Sequence, residues 1–510
     1  MKNLTTKIAN FLKQNWVNLI VFILCFFGGV VLFSAYWIAK HFEVKDFGVL
    51  LFHLRFPLLG NGVPLVGSYL LNVVFVSFII AFCLAWMRQS ARLLAVLYGY
   101  MVMIFDKIST FKFNILKVFL SLILFALCIN ITINKFRIKD YLRTQTQYSQ
   151  LYEKHYKSFD LANIKDFTPK QNLIIILVES LESNLTNHIA ISPKTGGGDA
   201  PLNLIPHLQK IATENTNFSF NGGFGGIEQV FGARGTVNGL VGYLCAIPLN
   251  IPITMSNKYF LSSTTCISDI LKDLGYKQSF VAGTDFSFAG KRNFLQSHNI
   301  EVMDLKYFQK KGVLPKKLPK DMEGVWSLKD AKMFELAKDY LEQQNDSNPF
   351  ALYILTVDTH GPQGFVDKEH CPNLDNSYES AYLCTDKIVS DFVDYIKHSR
   401  FKDNTTIVIL GDHLSIAHFI KPHSTRNVFN AFINAKFTKQ SLNATKNRKL
   451  SHFDIAPLIL DSIGLRVESF GLGRNPFYQK SLIEGAYNID SFNDELKLRN
   501  KIYDRLWDTQ

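Results

Sequence analysis

Apolar positions follow two patterns along the 510-residue chain. In the N-terminal third they form long unbroken blocks. Trp16–Ile38 carries no charge and, as a helix, is long enough to cross ~30 Å of bilayer hydrocarbon. Leu70–Met87 and Val118–Ile133 are second and third spans of the same kind, whereas Leu93–Phe105 is short and reads as interfacial or re-entrant. From Asn172 onward the pattern changes to strand-length apolar runs: Leu173–Val178, Phe280–Ala282, Ala351–Val357, Thr406–Leu410 and Val428–Ile433. Between them Cys266–Leu274 and Thr385–His398 have helical character. Continuous apolar runs belong to strands covered on both faces. The expected fold is therefore an α-helical membrane anchor followed by an α/β domain with a mostly parallel sheet flanked by helices. Residues 1–134 read as the membrane region, 135–170 as a helical juxtamembrane linker, 171–485 as the α/β domain and 486–510 as a C-terminal tail. Gly222–Gly226 reads as a loop, because it lacks the strand–turn–helix setting of a dinucleotide fingerprint.

Composition narrows the partners. A hydrophobic fraction of 47% with 43 Phe excludes a disordered chain. A net charge of +12 suits nucleic acid or an anionic membrane, and the apolar blocks select the membrane. Lys2, Lys7 and Lys13 precede the first span, and Arg88, Arg92, Lys107 and Lys112 precede the third. By the positive-inside rule both groups are cytoplasmic, so three crossings place the large domain outside. Lys135, Arg137, Lys139 and Arg143 run against this assignment, and a fourth crossing at Leu93 would reverse it. Those cations would face anionic head groups or simply form a solvated helix face.

Cys25, Cys83 and Cys128 fall inside the spans, while Cys245, Cys266, Cys371 and Cys384 fall in the large domain. An even count in an extracytoplasmic domain reads as disulfides. The short loops favour Cys245–Cys266 and Cys371–Cys384, although four cysteines allow three connectivities and four free thiols are the plain alternative.

Polar residues directly after the apolar runs carry the candidate chemistry. Glu179 follows the first, Asp285 the second, Asp358 and His360 the third, and Asp412 with His413 the fourth. In open parallel sheets ligands sit beyond the carboxyl ends of the strands, where residues distant in sequence converge. A single Asp there is an ordinary helix cap; four such ends suggest a metal or phosphate site. Glu179, Asp412 and His413 supply carboxylate and imidazole ligands for a hard or borderline divalent ion. Thr236, between Gly235 and Gly239, would expose its hydroxyl at a turn into a helix, or else serve only as an N-cap.

Together these residues resemble the membrane-bound branch of the alkaline phosphatase and sulfatase superfamily, and within it the phosphoglycerol transferases of periplasmic glucans and the lipoteichoic acid synthases. The phrases that carry the resemblance are NLIIILVESLE (Asn172–Glu182), GTVNGLVGYLCAIPL (Gly235–Leu249), FAGKRNF (Phe288–Phe294), DTHGP (Asp358–Pro362), GDH (Gly411–His413), FDIAPLILDSIG (Phe453–Gly464) and GLGRNP (Gly471–Pro476). It implies Glu179, Thr236, Asp412 and His413 as metal ligands and Thr236 as the nucleophile. His360 would contact the phosphate-bearing substrate, with Asp285, Phe288 and Lys291 lining the head-group pocket. Ser415, His418 and His423 receive no role.

The activity so implied is transfer of phosphoglycerol from phosphatidylglycerol to a glycan through a phosphothreonine-type intermediate. It would depend on one divalent ion, Mn²⁺ before Zn²⁺ or Mg²⁺, in a multi-pass protein of a bacterial inner membrane with a periplasmic catalytic domain. Phosphoethanolamine transfer is the alternative within the superfamily, although Arg234-Gly235-Thr236 lacks the cysteine that precedes the nucleophile there. A sulfatase proper would need Cys or Ser in a C/S-x-P-x-R context, which is absent at Thr236. A membrane-anchored, non-catalytic glycan-binding module is the alternative of another class. No nucleic-acid partner is expected.

Overall fold

The apolar runs of the C-terminal part form the interior strands of one sheet in the computed structural model. It describes residues 2–41, 47–48, 50–51, 62–87, 110–159, 167, 171–187, 202–250, 260–325, 328–345, 348–361, 364–415, 426–439 and 444–507. The described residues separate into two compact units that meet in sequence at Arg143 and Thr144.

The first unit contains three helices long and apolar enough to cross a membrane: Gln14–His41 within α1 (Lys2–His41), Val66–Ala85 ending in α2 (Val76–Ala85), and Phe111–Lys135 within α3 (Thr110–Lys135). Small residues let α1 and α2 approach closely; a Cβ on Gly29 would stand 3.1 Å from the Ser77 hydroxyl. The sequence pattern starts the third span at Val118, after a lysine. The helix nevertheless runs through Lys117, whose ammonium donates to the Ala85 carbonyl (2.9 Å) at the end of α2 and to Asn18 Oδ1 (2.5 Å). A buried cation is tolerated there because it satisfies a helix C-terminus. The candidate segment Leu93–Phe105 lies outside the described residues.

In the second unit the strands are β1 (Asn172–Val178), β2 (Gly226–Ile227), β3 (Lys277–Ala282), β4 (Glu301–Met303), β5 (Phe350–Leu355), β6 (Thr405–Gly411), β7 (Val428–Ile433), β8 (Ser469–Phe470) and β9 (Gly473–Arg474). The main sheet has the order β2-β7-β6-β1-β5-β3-β4. Strands β4, β3, β5, β1 and β6 run parallel, whereas at one edge β7 is antiparallel to β6 and β2 antiparallel to β7. Every residue of β1, β5 and β6 is buried, as expected of strands covered on both faces.

Two boundaries differ from the apolar pattern. Gly226 belongs to β2 rather than to the preceding glycine loop. Strand β5 ends at Leu355, because the Val357 N–H turns to Asp330 Oδ1 (2.8 Å) instead of continuing a ladder. Residues 486–507 carry helices Ile489–Lys497 and Lys501–Arg505 and bury Phe492, Leu496, Tyr503 and Trp507.

Six helices or helix starts position the site. They are α4 (Thr236–Cys245), α5 (Ile267–Asp273), α6 (Asp330–Glu342), α7 (Tyr378–His398) and α8 (His452–Ser462), with the short helix Lys291–Ser297. Cys245 at the end of α4 is bonded to Cys266, the N-cap of α5, and Cys371 is bonded to Cys384 in α7. Each closed loop stabilises by roughly 3 kcal/mol in the chain-entropy description.

Candidate functional site

Strand β1 lies between β5 and β6, so residues following all three strands meet at one end of the sheet. Glu179 follows β1, and its N–H is held by the Thr356 hydroxyl (3.0 Å). The carbonyl of Glu179 accepts from the Thr359 hydroxyl (2.6 Å). Asp412 and His413 follow β6, and one ligand atom from each of Glu179, Asp412 and His413 falls within 4.8 Å of the others. All three are buried.

Hydrogen bonds decide which atoms remain open. His413 Nδ1 donates to the Leu414 carbonyl (2.8 Å), since a carbonyl only accepts, and Nε2 is the nitrogen turned to the carboxylates. Nε2 stands 3.3 Å from Glu179 Oε1 and 3.5 Å from Asp412 Oδ2. Leu414 is itself held at its N–H, which donates to Gln229 Oε1 (2.7 Å). Asp412 Oδ2 is buried without a hydrogen-bond partner among the described residues. Two carboxylates, one of them with its Oδ2 orphaned and buried, and an imidazole nitrogen form a donor set that fits a divalent cation.

The electrostatics of the cluster point the same way. Burial and the Glu179 charge push the Asp412 carboxyl up to about 7. Burial opposes protonation of His413, yet the Asp412 and Glu179 charges raise its pKa to about 10. Burial likewise opposes ionisation of Glu179, but His413 and His360 hold it well below the ordinary carboxylate range. A proton stands in for the positive charge that the carboxylates demand.

Thr236 opens α4. Its N-cap is Gly235 at φ +129°, which has no side chain to cap the first turn. The Thr236 hydroxyl points instead at Glu179 Oε2 (3.2 Å) and stays partly accessible. The helix approaches the end of β6 so closely that a Cβ on Gly239 would sit 2.2 Å from the Asp412 carbonyl oxygen. That carbonyl also accepts from His452 Nε2 (3.2 Å), a buried histidine at the start of α8. Disulfide Cys245–Cys266 anchors the far end of the same helix.

Lys291 is buried, with Nζ 4.8 Å from the ring centre of Phe288 and 5.4 Å from that of Phe286. Burial lowers its pKa to about 8 against the pull of Glu179, Asp285 and Asp412. His360 donates from Nδ1 to the Gly361 carbonyl (2.8 Å) and is half-buried. Asp285 is already engaged: Oδ1 accepts from the Ser287 N–H (2.9 Å) and hydroxyl (2.8 Å), and Oδ2 pairs with Lys306 (2.6 Å). Asp358 is turned away from the cluster to cap α6, where Oδ2 accepts from the Asp330 N–H (2.8 Å). Ser415 donates its N–H to Glu182 Oε1 (2.8 Å), while His418 and His423 lie outside the described residues. Gln229 and His452 escape a reading by motif, because their partners are reached only through the fold, as is the Asp412 partner of Ser180.

The α/β part of the chain is similar to proteins of a known family. A family model described as Sulfatase matches residues 171–465. Phosphoglycerol transferase I of Xanthomonas campestris pv. campestris (strain B100) is 32% identical over 263 residues, or 48% of this chain and 34% of that protein. Phosphoglycerol transferase I of Escherichia fergusonii is 30% identical over 336 residues, or 63% of this chain and 41% of that protein. The chain thus spans less than half the length of these curated relatives. Among solved structures, lipoteichoic acid synthase LtaP from Listeria monocytogenes is 17% identical, with 64% of this chain and 81% of that chain covered and a TM-score of 0.47.

Proposed function

The chain belongs to the sulfatase family, and from that premise we propose that it is a metal-dependent phosphoglycerol transferase. Its donor is phosphatidylglycerol, its acceptor a glycan, and its nucleophile Thr236. The observation that carries this reading is the Thr236 hydroxyl, 3.2 Å from Glu179 Oε2, at the edge of the Glu179, Asp412 and His413 donor set.

Glu179, Asp412, His413 and Thr236 would hold the ion, with Mn²⁺ first, then Zn²⁺ or Mg²⁺. When bound, a divalent cation lowers the pKa of the threonine hydroxyl and offsets charge on the phosphate. Glu179 Oε2 orients the hydroxyl, whose oxygen attacks phosphorus. The Thr–O–P bond forms as the bond to diacylglycerol breaks, and the diacylglycerol oxygen takes up a proton. A sugar hydroxyl oxygen then bonds to phosphorus as the Thr–O–P bond breaks, so the glycerophosphoryl group passes to the glycan and the Thr236 oxygen takes up a proton. Lys291, His360 and the uncapped first turn of α4 supply positive charge or N–H donors for the phosphate oxygens.

The head-group preference follows from what is already paired. An ethanolammonium head would need a carboxylate or an aromatic face. Asp285 is held by Lys306, and the Phe288 ring is covered by Lys291. Those resident cations repel a second one and favour an uncharged glycerol.

A lipid donor also accounts for the apolar helices in the same chain. With Lys2, Lys7 and Lys13 in the cytoplasm, three crossings put the α/β domain on the periplasmic side, where Cys245–Cys266 and Cys371–Cys384 persist. The test feeds the purified full-length protein phosphatidylglycerol or phosphatidylethanolamine, each labelled in the head group, and maps label on peptides. Label on Thr236 from phosphatidylglycerol is expected. Label from phosphatidylethanolamine alone reverses the donor assignment, and absence of any Thr236 adduct overturns the nucleophile.

A further inference from the structure

Ser180 follows Glu179 directly and holds φ at +55°, a region that L residues other than Asn and Asp seldom occupy. That conformation lets one residue reach two carboxylates. Its N–H donates to Asp412 Oδ1 (2.8 Å), which also accepts from the His413 N–H (2.8 Å), and its hydroxyl donates to Glu179 Oε1 (2.8 Å). Its carbonyl accepts from the Tyr382 hydroxyl (3.2 Å), and the residue is 1% exposed. Two oxygens of the carboxylate pair stay uncommitted to Ser180. Glu179 Oε2 receives the Thr236 hydroxyl, and Asp412 Oδ2 has no hydrogen-bond partner among the described residues.

We infer that Ser180 is a positioning residue for the cation site. By anchoring Oδ1 of Asp412 and Oε1 of Glu179 it fixes the rotation of both carboxylates and leaves Oδ2 and Oε2 to serve the ion and the nucleophile. The inference rests on the metal-dependent reading proposed above. A serine retained for the fold alone would gain nothing from the left-handed backbone, which glycine adopts without strain. Strain kept at this one position is understood if the hydroxyl is needed there.

The experiment uses the full-length protein in detergent, stripped with a chelator and titrated with Mn²⁺ in competition with a chromogenic chelator. Ser180→Gly keeps the N–H, removes the hydroxyl and relieves the backbone; Ser180→Ala removes the hydroxyl alone. Both variants are expected to bind Mn²⁺ roughly 10–100-fold more weakly. Stripped Ser180→Gly should melt at or above the temperature of the stripped parent. Affinities of both variants within about threefold of the parent (a small fraction of the loss expected for an outer ligand contact) overturn the inference and leave the metal reading standing. So does an affinity loss that only tracks a lower melting temperature in both stripped variants. A parent protein that binds no Mn²⁺, Zn²⁺ or Mg²⁺ overturns the metal reading itself.

Discussion

Two pairs of buried carboxyl groups sit at the same end of the sheet and behave differently. Asp330 and Asp358 spend their oxygens on the backbone: Asp330 Oδ1 accepts from Val357, Asp330 Oδ2 from Asp358, and Asp358 Oδ2 from Asp330. No imidazole or hydroxyl hydrogen-bonds to either carboxyl among the described residues. Burial raises both pKa values: Asp330 to about 7, with the Glu179 charge adding to it, and Asp358 well above the ordinary carboxylate range, with the Asp330 charge adding to it. Each pair keeps one buried oxygen without a hydrogen-bond partner among the described residues, Asp358 Oδ1 and Asp412 Oδ2, but Glu179 and Asp412 also face an imidazole nitrogen and a threonine hydroxyl. Burial alone therefore does not mark chemistry. What separates the pairs is the destination of the lone pairs: backbone N–H groups that close a turn, or a common point that a cation can occupy.

The largest expected effect breaks the second pair at its nucleophile. Thr236→Ala should lower transfer by more than ~10⁴-fold, as loss of a covalent nucleophile does elsewhere. Because Gly235 and not Thr236 is the N-cap, thermal stability should stay within about 0.5 kcal/mol of the parent. Transfer assays beside melting curves separate the two quantities. A variant that still turns over at comparable rate removes Thr236 from the mechanism.

A second measurement contrasts the pairs directly. A saturating divalent ion, at 100 times its dissociation constant, should stabilise the parent by about 2.7 kcal/mol. Asp412→Asn should abolish that increment. Asp330→Asn should keep it while losing about 1–3 kcal/mol of basal stability, since an amide cannot accept at both positions. An ion-dependent shift lost in Asp330→Asn and kept in Asp412→Asn would exchange the roles of the two pairs.

Smaller again is the effect at Gln229, which touches neither pair. It accepts from the N–H of Leu414, the residue whose carbonyl takes the His413 Nδ1 hydrogen bond. Gln229→Leu should weaken ion binding by roughly tenfold, and Gln229→Glu, which still offers an acceptor, should restore most of it. Calorimetric titration of the stripped protein measures both.

The sequence shows the interior strands because β1, β5 and β6 are buried on both faces and therefore read as unbroken apolar runs. The three- and two-residue strands β4 and β2 are too short to make a pattern, and β7 is as apolar as its parallel neighbours although it runs the other way. Asp after a strand is equally visible at Asp358 and Asp412. What distinguishes them is Asp330, 28 residues before Asp358, at the start of a helix whose placement no local pattern reveals. Gln229 reaches its peptide across 185 residues for the same reason. Asp285 illustrates the opposite limit: a motif locates it near the pocket, but only the fold shows Ser287 and Lys306 already bonded to it.

A slope in pH belongs to the capping pair. A carboxyl whose pKa is raised on folding binds more protons in the native than in the unfolded chain between the two values. Its contribution to stability is full below the unfolded pKa, near 3.9, and is lost as pH rises through the folded value of about 7 for Asp330. Stability should therefore fall between pH 5 and pH 7, by at most ~1.4 kcal/mol per pH unit for one proton. The cation site is expected to contribute little here once loaded, because bound metal keeps its ligands deprotonated across the range. Urea unfolding at pH 5, 6, 7 and 8 (chosen to bracket the Asp330 value of about 7) with saturating ion should show the fall in the parent. Asp330→Asn, which cannot take up that proton, should flatten it. A slope that survives in Asp330→Asn but vanishes in Asp412→Asn would place the shared proton at the cation site and erase the distinction between the two pairs.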